Sequence, residues 1–462
     1  MLFPIYTASI TGNGVSEMIK RKAEDRIKEW IQMSAKALLV SGARQVGKTF
    51  SIRRCLKDDH CNYLEINLIE QPELATVLEQ SMSVDDLIVN LSAATNYSFI
   101  KGESILFIDE VQEIKDIVTR VKFWVDEGSF RYILSGSLLG VELRNLRSAP
   151  VGYLDEVEMF PLDFEEFLKA SGVNEDVLGH LRDCFDDRKP VGELIHDKIM
   201  KHFRRYLVVG GMPDAVREYI ESGNISKVTA IQQNIKELYK LDFTKYEAED
   251  KKLMIISIYE TMPSQLLKQN RRFNYADIKK GLRFERLESS FLWLISAGVV
   301  IAAYNATEPR VSLSQNQKSS LLKLYSSDVG LLTSGYGNAL RTKILTNDEK
   351  VNLGGIYENA VAQELNAHGF QTYFYNSHKN GELDFLIEKD TQVVPIEVKS
   401  GKDYYVHSAI SKAVDNPEYE IETAYILTNY DVETDGKIVY LPIYMSMFIT
   451  DTVEFPILEP ID

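Results

Sequence analysis

Cysteine is scarce in this chain: there are three among 462 residues, at Cys55, Cys61 and Cys184. Their spacing suits neither a disulfide framework nor a metal-binding C-x-x-C pair, so free thiols in a reducing, cytoplasmic setting are expected. The 7 histidines are scattered and offer no metal cluster. No segment has the uncharged apolar length needed to cross a bilayer. Met1 to Gly14 lacks the basic start and apolar core of a secretory signal, and a helix is expected near Met18 to Trp30. Low-complexity tracts and repeats are also missing. The net charge of −16 argues against a surface coated throughout by nucleic acid, while leaving room for a local basic site.

What is present begins with Gly42-Ala43-Arg44-Gln45-Val46-Gly47-Lys48-Thr49, a complete G-x-x-x-x-G-K-[ST] loop. The apolar run Ala37-Leu38-Leu39-Val40 predicts a buried strand before it, and Phe50 to Leu56 predicts a helix after it. Glycines at that junction let backbone N–H groups turn around the phosphates of ATP, aided by the helix N-terminus. Lys48 is then the group that reaches the β- and γ-phosphates, and the Thr49 hydroxyl is a ligand for Mg²⁺. A second segment, Ser104-Ile105-Leu106-Phe107-Ile108-Asp109-Glu110, reads as an apolar strand ending in two carboxylates. Asp109 is expected to share the Mg²⁺ with Thr49, and Glu110 to orient the water that attacks the γ-phosphate. A third strand, Phe130 to Leu134, runs into Ser135-Gly136-Ser137. Ser135 there reads either as a sensor of the γ-phosphate or as part of an ordinary loop.

The pattern divides the chain into three regions and predicts an α/β fold. Residues 1–162 alternate strand and helix, as a parallel P-loop sheet with covering helices does. Residues 163–346 read as mostly helical, with a Gly210-Gly211-Met212-Pro213 break, a helix over Ile278 to Leu294 and strands at Val299 to Tyr304 and Ser320 to Tyr325. Those last elements fit a winged-helix module. Within this region, Lys268 to Arg286 gathers seven basic residues around Phe273, Tyr275 and Phe284. It is either a DNA-contacting surface or a solvated helix pair whose aromatics belong to the core.

Residues 347–462 carry their own constellation. Ile356 to His368 predicts a helix with Glu358 near its start. Gly381 to Ile387 and Val393 to Lys399 predict two strands. Period-two alternation puts Glu397 and Lys399 on one face, and Asp384 on the neighbouring strand can share that space. Asp384 and Glu397 suit Mg²⁺ ligation, with Glu358 as a further ligand and Lys399 stabilising developing charge in phosphodiester hydrolysis. The same pattern also describes a hairpin with a surface ion pair.

Taken together, these landmarks resemble the AAA-type P-loop ATPases that carry a C-terminal domain of uncharacterised function. The resemblance rests on the loop, Phe107-Ile108-Asp109-Glu110-Val111-Gln112, Leu134-Ser135-Gly136-Ser137, Phe160 to Phe167, Gly210 to Pro213, Leu324 to Leu332, Tyr357-Glu358-Asn359, Glu382 to Phe385 and Pro395 to Ser400. It implies an ATPase domain in front and a C-terminal part resembling the PD-(D/E)XK restriction-nuclease fold. Two departures stand out. Gly152-Tyr153 occupies the place of a Gly-Arg pair usual in such relatives; if that arginine serves nucleotide sensing, this chain must use another, such as Arg144 or Arg147, or hydrolyse slowly. Ala43 replaces a usual proline at a position that contributes backbone. Three functional readings follow: a Mg²⁺-dependent ATPase whose nucleotide state controls its C-terminal domain, an ATP-gated DNA-binding protein or nuclease, and a nucleotide-gated module that docks a protein partner or a second copy of the chain.

Overall fold

A computed structural model describes residues 19–114, 116–137, 152–245, 249–348 and 350–451; Arg144 and Arg147 lie outside the described residues. The chain divides into two units. One is built from Glu17–Phe160 together with Leu292–Val299, the other chiefly from Pro161–Phe291 and Val300–Asp462.

Among the described residues, the first unit holds five strands: β1 (Ala37–Ser41), β2 (Tyr63–Asn67), β3 (Ile105–Asp109), β4 (Arg131–Ser135) and β5 (Leu154–Glu158). They lie in the order β2-β3-β4-β1-β5, all parallel. Continuous apolar runs are what a parallel sheet covered on both faces requires, and every residue of β1 and β3 is buried. Leu106, Ile108, Tyr132 and Leu134 pack with Leu87, Leu91 and Trp124 from the covering helices. Burying each such side chain stabilises the unit by roughly 1.5–3 kcal/mol. Because β4 is inserted between β1 and β3, the register aligns Asn67, Asp109 and Ser135 in one row across three strand ends. The expected first helix spans Lys22–Met33 and buries Ile27, Trp30 and Ile31. Arg21, just before it, donates to the carbonyls of Val46 at 2.7 Å and Phe160 at 2.6 Å.

The second unit contains an eight-stranded mixed sheet of β6 (Val300–Ala306), β7 (Gln317–Ser326), β8 (Tyr373–Ser377), β9 (Gly381–Lys389), β10 (Gln392–Val398), β11 (Ala424–Thr428), β12 (Glu433–Asp435) and β13 (Ile438–Pro442). Its order is β12-β13-β11-β10-β9-β8-β6-β7. Here the winged-helix expectation is corrected. The two strands exist and pair with each other, but β6 also pairs in parallel with β8, Tyr304 opposite Tyr373. Six of the seven β6 residues are buried. A strand so enclosed must satisfy the N–H and C=O groups of both its edges, which a two-stranded wing cannot do. The helix expected over Ile278 to Leu294 is also shorter, at Glu288–Ser296, preceded by single turns at Tyr275–Asp277 and Phe284–Arg286. Gly281, at φ +80°, interrupts it, and the apolar spacing serves an aromatic cluster. Phe273, Phe284 and Phe291 pack on one another with Tyr275.

Several landmarks of the sequence meet in the interior of this unit. Gly211 accepts from the Leu162 amide at 2.7 Å and donates its own amide to Asp328 Oδ2 at 2.6 Å. Tyr206 donates to the Leu162 carbonyl at 2.7 Å and accepts from Gln363 at 2.8 Å. Glu364 accepts from the Phe164 amide at 2.8 Å, and Asn359 exchanges two hydrogen bonds with the Ser326 backbone. A Cβ on Gly211 would stand 2.0 Å from the Leu162 carbonyl oxygen, so only glycine fits. These motifs are therefore cross-links between segments far apart in sequence.

Candidate nucleotide site and carboxylate centre

The loop between β1 and the helix Lys48–Asp58 folds as its residues require. Gly42, Gln45 and Gly47 have φ values of +129°, +65° and +98°, the left-handed turns that curl backbone amides inward. A Cβ on Gly42 would lie 2.1 Å from the Met159 carbonyl oxygen, so the first glycine is fixed by close approach as well as by φ. Val46 and Ala43 are buried beneath the loop, and Arg44 is half-buried. Lys48 heads the helix and donates to the carbonyls of Gly42 at 2.9 Å and Ala43 at 2.8 Å. Its ammonium thus sits over the loop that it would serve.

Thr49 Oγ1 donates to Asp109 Oδ2 at 2.8 Å, bringing the two expected Mg²⁺ ligands together. Asn67 Nδ2 reaches the same oxygen at 3.4 Å. Ser135 Oγ is buried and has no hydrogen-bond partner, although it stands beside Asp109 in the sheet register. A buried hydroxyl without a partner is costly, and its position fits a contact to a bound phosphate. Glu110, at φ +57°, follows the strand end and accepts from Gln112 Nε2 at 2.5 Å. Gln112 Oε1 is also buried without a partner. The donor set therefore fits a magnesium nucleotide: a hydroxyl and a carboxylate for the metal, a lysine and inward amides for phosphate. Neither Asn67 nor Gln112 was given a role from sequence, although Gln112 ends the Phe107 to Gln112 landmark. Their signal is a polar residue at the end of a strand and a glutamine two positions after the second carboxylate. Tyr153, in place of the usual arginine, packs under Lys122, whose Nζ lies 5.1 Å from the ring centre.

In the second unit, the helix Gly354–Ala367 and strands β9 and β10 bring Glu358, Asp384, Glu397 and Lys399 into one region, with two cations that sequence reasoning missed. Lys323, on β7, is fully buried at 0% exposure. Its Nζ lies 2.8 Å from Glu382 Oε1, 3.6 Å from Asp384 Oδ1 and 3.7 Å from Glu358 Oε2. Arg271 pairs with Glu358 Oε1, and Tyr325 donates to Glu358 Oε2 at 3.2 Å. Asp384 Oδ2 accepts from the Val398 amide at 3.0 Å. Lys399 and Glu397 form an ion pair at 2.5 Å, yet Glu397 Oε2 is buried without a partner. The hairpin reading of a surface ion pair is thus corrected, since the Glu397 side chain is only 9% exposed.

Electrostatics separate the three acids. Burial, then the Asp384 charge, pushes Glu358 up to about 8 and Glu397 up to about 7. Burial also opposes ionisation of Asp384, but Lys323, the Val398 amide and Arg271 outweigh it and hold that carboxyl below its ordinary value. Among the described residues, no group of three or more His, Cys, Asp or Glu side chains is arranged to hold a metal. Lysine and arginine stand among the carboxylates of Glu358, Asp384 and Glu397, the set expected to ligate Mg²⁺. A lysine in Leu321-Leu322-Lys323-Leu324-Tyr325 shares the face of a buried tyrosine by period two, and that was its one signal in the sequence.

The basic stretch is partly absorbed by the fold. Arg271 is spent on Glu358 and Lys268 on Asp277, while Lys279, Lys280, Arg283 and Arg286 remain exposed.

Residues 34–168 match a family model described as an AAA domain. Together with the loop geometry, that match supports a P-loop nucleotide-binding domain at the front of the chain. Behind the AAA domain, residues 200–340 and 353–445 match two models described as domains of unknown function, DUF8612 and DUF4143. Neither description supplies a nuclease fold, so α/β with a parallel front sheet and a mixed second sheet is the architecture that stands. An uncharacterized protein of Methanocaldococcus jannaschii is 25% identical over 373 residues, 76% of this chain and 72% of the relative. Among solved structures, the Walker-type ATPase of Pyrococcus abyssi matches with 15% identity and a TM-score of 0.43, over 70% of this chain and 97% of that one. No helix among the described residues is long and apolar enough to cross a membrane.

Proposed function

We propose that the chain is a Mg²⁺-dependent ATPase whose nucleotide state controls its C-terminal part. The observation that carries this is the Thr49–Asp109 hydrogen bond at 2.8 Å beside an orphaned Ser135 hydroxyl. Bound Mg²⁺ supplies charge neutralisation at the phosphates. Thr49 and Asp109 position it, Lys48 and the loop amides cradle phosphate, and Gln112 holds Glu110 for the attacking water. Ser135 reads the far end of the nucleotide. A route for control runs along the chain itself. Leu292–Val299 belongs to the ATPase unit, where a Cβ on Gly298 would stand 3.2 Å from the Ala43 amide nitrogen. The next residue, Val300, begins β6 of the larger sheet. A loop that adjusts around nucleotide therefore pushes on the residues that lead into that sheet.

For the C-terminal part, the buried Lys323 among carboxylates favours a docking or structural role over an ATP-gated nuclease. The test is phosphate release from ATP with Mg²⁺, with and without duplex or single-stranded DNA, for the wild type, Lys48→Ala and Glu110→Gln. Hydrolysis absent from both variants supports the roles given. A wild type that turns over no faster than the variants overturns the ATPase reading, and DNA stimulation would bring back the nucleic-acid one.

A further inference from the structure

We propose that Lys323 is the resident cation of the carboxylate centre: its ammonium, flanked by the Arg271 guanidinium, takes the place that a divalent metal would need, and the centre works without metal. This is independent of the nucleotide reading, since it concerns a different unit and a different set of side chains.

The first argument is burial. A lysine at 0% exposure persists only with its charge compensated. Lys323 has three carboxylate oxygens within 3.7 Å, from Glu358, Glu382 and Asp384. The face of Phe374 lies 5.2 Å away and adds a cation–π contact. This is the environment that an oxygen-ligated cation would otherwise have, filled by a side chain of the same protein.

The second argument is how firmly the neighbouring cation is built in. A Cβ on Gly354 would stand 2.4 Å from Arg271 Nη2, and one on Gly355 would stand 1.9 Å from the Leu266 carbonyl oxygen. The Gly354-Gly355 pair therefore exists where the helix carrying Glu358 must start against the chain that delivers Arg271. That chain is stitched to β7 next to Lys323, with the Phe273 amide donating to the Leu322 carbonyl at 2.8 Å. Arg271 and Lys323 thus arrive on two paired segments, both outside residues 353–445.

Charge balance is the third argument. Glu358, Glu382, Asp384 and Glu397 face Arg271, Lys323 and Lys399, so a single shared proton leaves the cluster neutral. A dication added beside two fixed cations would meet repulsion at short range in a low-dielectric site. Asp384 is already engaged by the Val398 amide and Lys323.

The test uses the full chain without nucleotide, in an Asp109→Asn background that silences the nucleotide-site metal, with Mn²⁺ as the probe followed by electron paramagnetic resonance. With Lys323 intact, Mn²⁺ uptake is expected to be unchanged by Asp384→Asn. Lys323→Met combined with Arg271→Met is expected to raise Mn²⁺ affinity by about ten-fold or more, and Asp384→Asn is expected to abolish that gain. Two outcomes overturn the proposal: Asp384-dependent Mn²⁺ binding while Lys323 is present, or a folded double variant that gains nothing. Should the double variant fail to fold by circular dichroism, the titration with Lys323 intact still decides.

Discussion

Thr49 and Asp109 come from different motifs and meet side chain to side chain at 2.8 Å. Neither position is forced by local sequence. Thr49 is set by the loop turning into a helix, and Asp109 by a strand two places away in the sheet. Their meeting is evidence that the two motifs form one site, since a chance pair of motifs has no reason to converge.

Asp109→Asn removes the charge that a metal would need while keeping one oxygen for Thr49. Hydrolysis is expected to fall on the order of 10²-fold, as for loss of one preorganised charge contact. Nucleotide affinity in EDTA should hardly change. Phosphate release paired with fluorescent-nucleotide binding, with and without Mg²⁺, separates the two effects. Equal losses in both would mean that Asp109 is a structural residue.

Ser135→Ala distinguishes a sensor from a loop residue. Because the buried hydroxyl lacks a partner, removing it should leave stability unchanged or raise it by up to about 1 kcal/mol. Turnover is nonetheless expected to drop. A thermal melt that falls while turnover holds would assign Ser135 to the fold instead.

Gly42→Ala tests the close approach at the loop. Its Cβ would collide with the Met159 carbonyl oxygen at 2.1 Å, at a φ of +129°. Overpacking and backbone strain together should cost about 2–5 kcal/mol, and ATP binding should disappear. Gly102→Ala has a positive φ but nothing within 4 Å, so it serves as the control for strain alone. Comparable melting of the two variants would contradict the steric account.

Glu397 gives the carboxylate centre a pH signature. Burial and Asp384 raise it from 4.5 to about 7, so between those values the folded state holds a proton that the unfolded chain has released. Stability from this group is therefore greatest on the acid side of that window and declines as pH rises through it. The decline is about 3 kcal/mol at most. Glu397→Gln should flatten the melting temperature between pH 5 and 7.5. An unchanged slope would mean that Glu397 ionises normally in the fold.

Much of the nucleotide site is legible in the sequence because its chemistry is contiguous: Gly42 to Thr49 is one loop, and Asp109-Glu110 one strand end. The strands and helix carrying Asp384, Glu397 and Glu358 were legible too, since each has its own apolar period. Lys323 and Arg271 were not. Charged residues are read as solvated by default, and only the β7 register and the bridge to Phe273 bring these two inside. The wing failed for a related reason, because hydrophobic period describes a strand but not which edge it will share. Gly210 to Pro213 reads as a break between helices, whereas Gly211 is a close approach, and so is Gly330: a Cβ on Gly330 would stand 2.5 Å from the Val209 carbonyl oxygen.

Asp328 shows how much such a cross-link is worth. Fully buried, it caps the helix Val329–Ser334 through Leu331 N at 2.7 Å and holds Gly211 N at 2.6 Å. Burial raises its carboxyl to about 6, against the pull of the Gly211, Leu331 and Gly330 amides. Oδ2 serves the Gly211 amide and Oδ1 the Leu331 amide, so Asp328→Asn can satisfy only one of these two and turns an NH₂ group against the other. That substitution is expected to cost about 1–3 kcal/mol. Asp328→Ala, which loses both acceptors and the cap, should cost more than Asn. Both should leave the residues around Thr49 and Asp109 intact, so nucleotide should still bind below the shifted melting temperature. Urea unfolding of the two variants checks the ranking. Asn as stable as wild type would mean that the Gly211 amide has another partner, and that the Gly-Gly-Met-Pro landmark is held by packing rather than by this carboxylate.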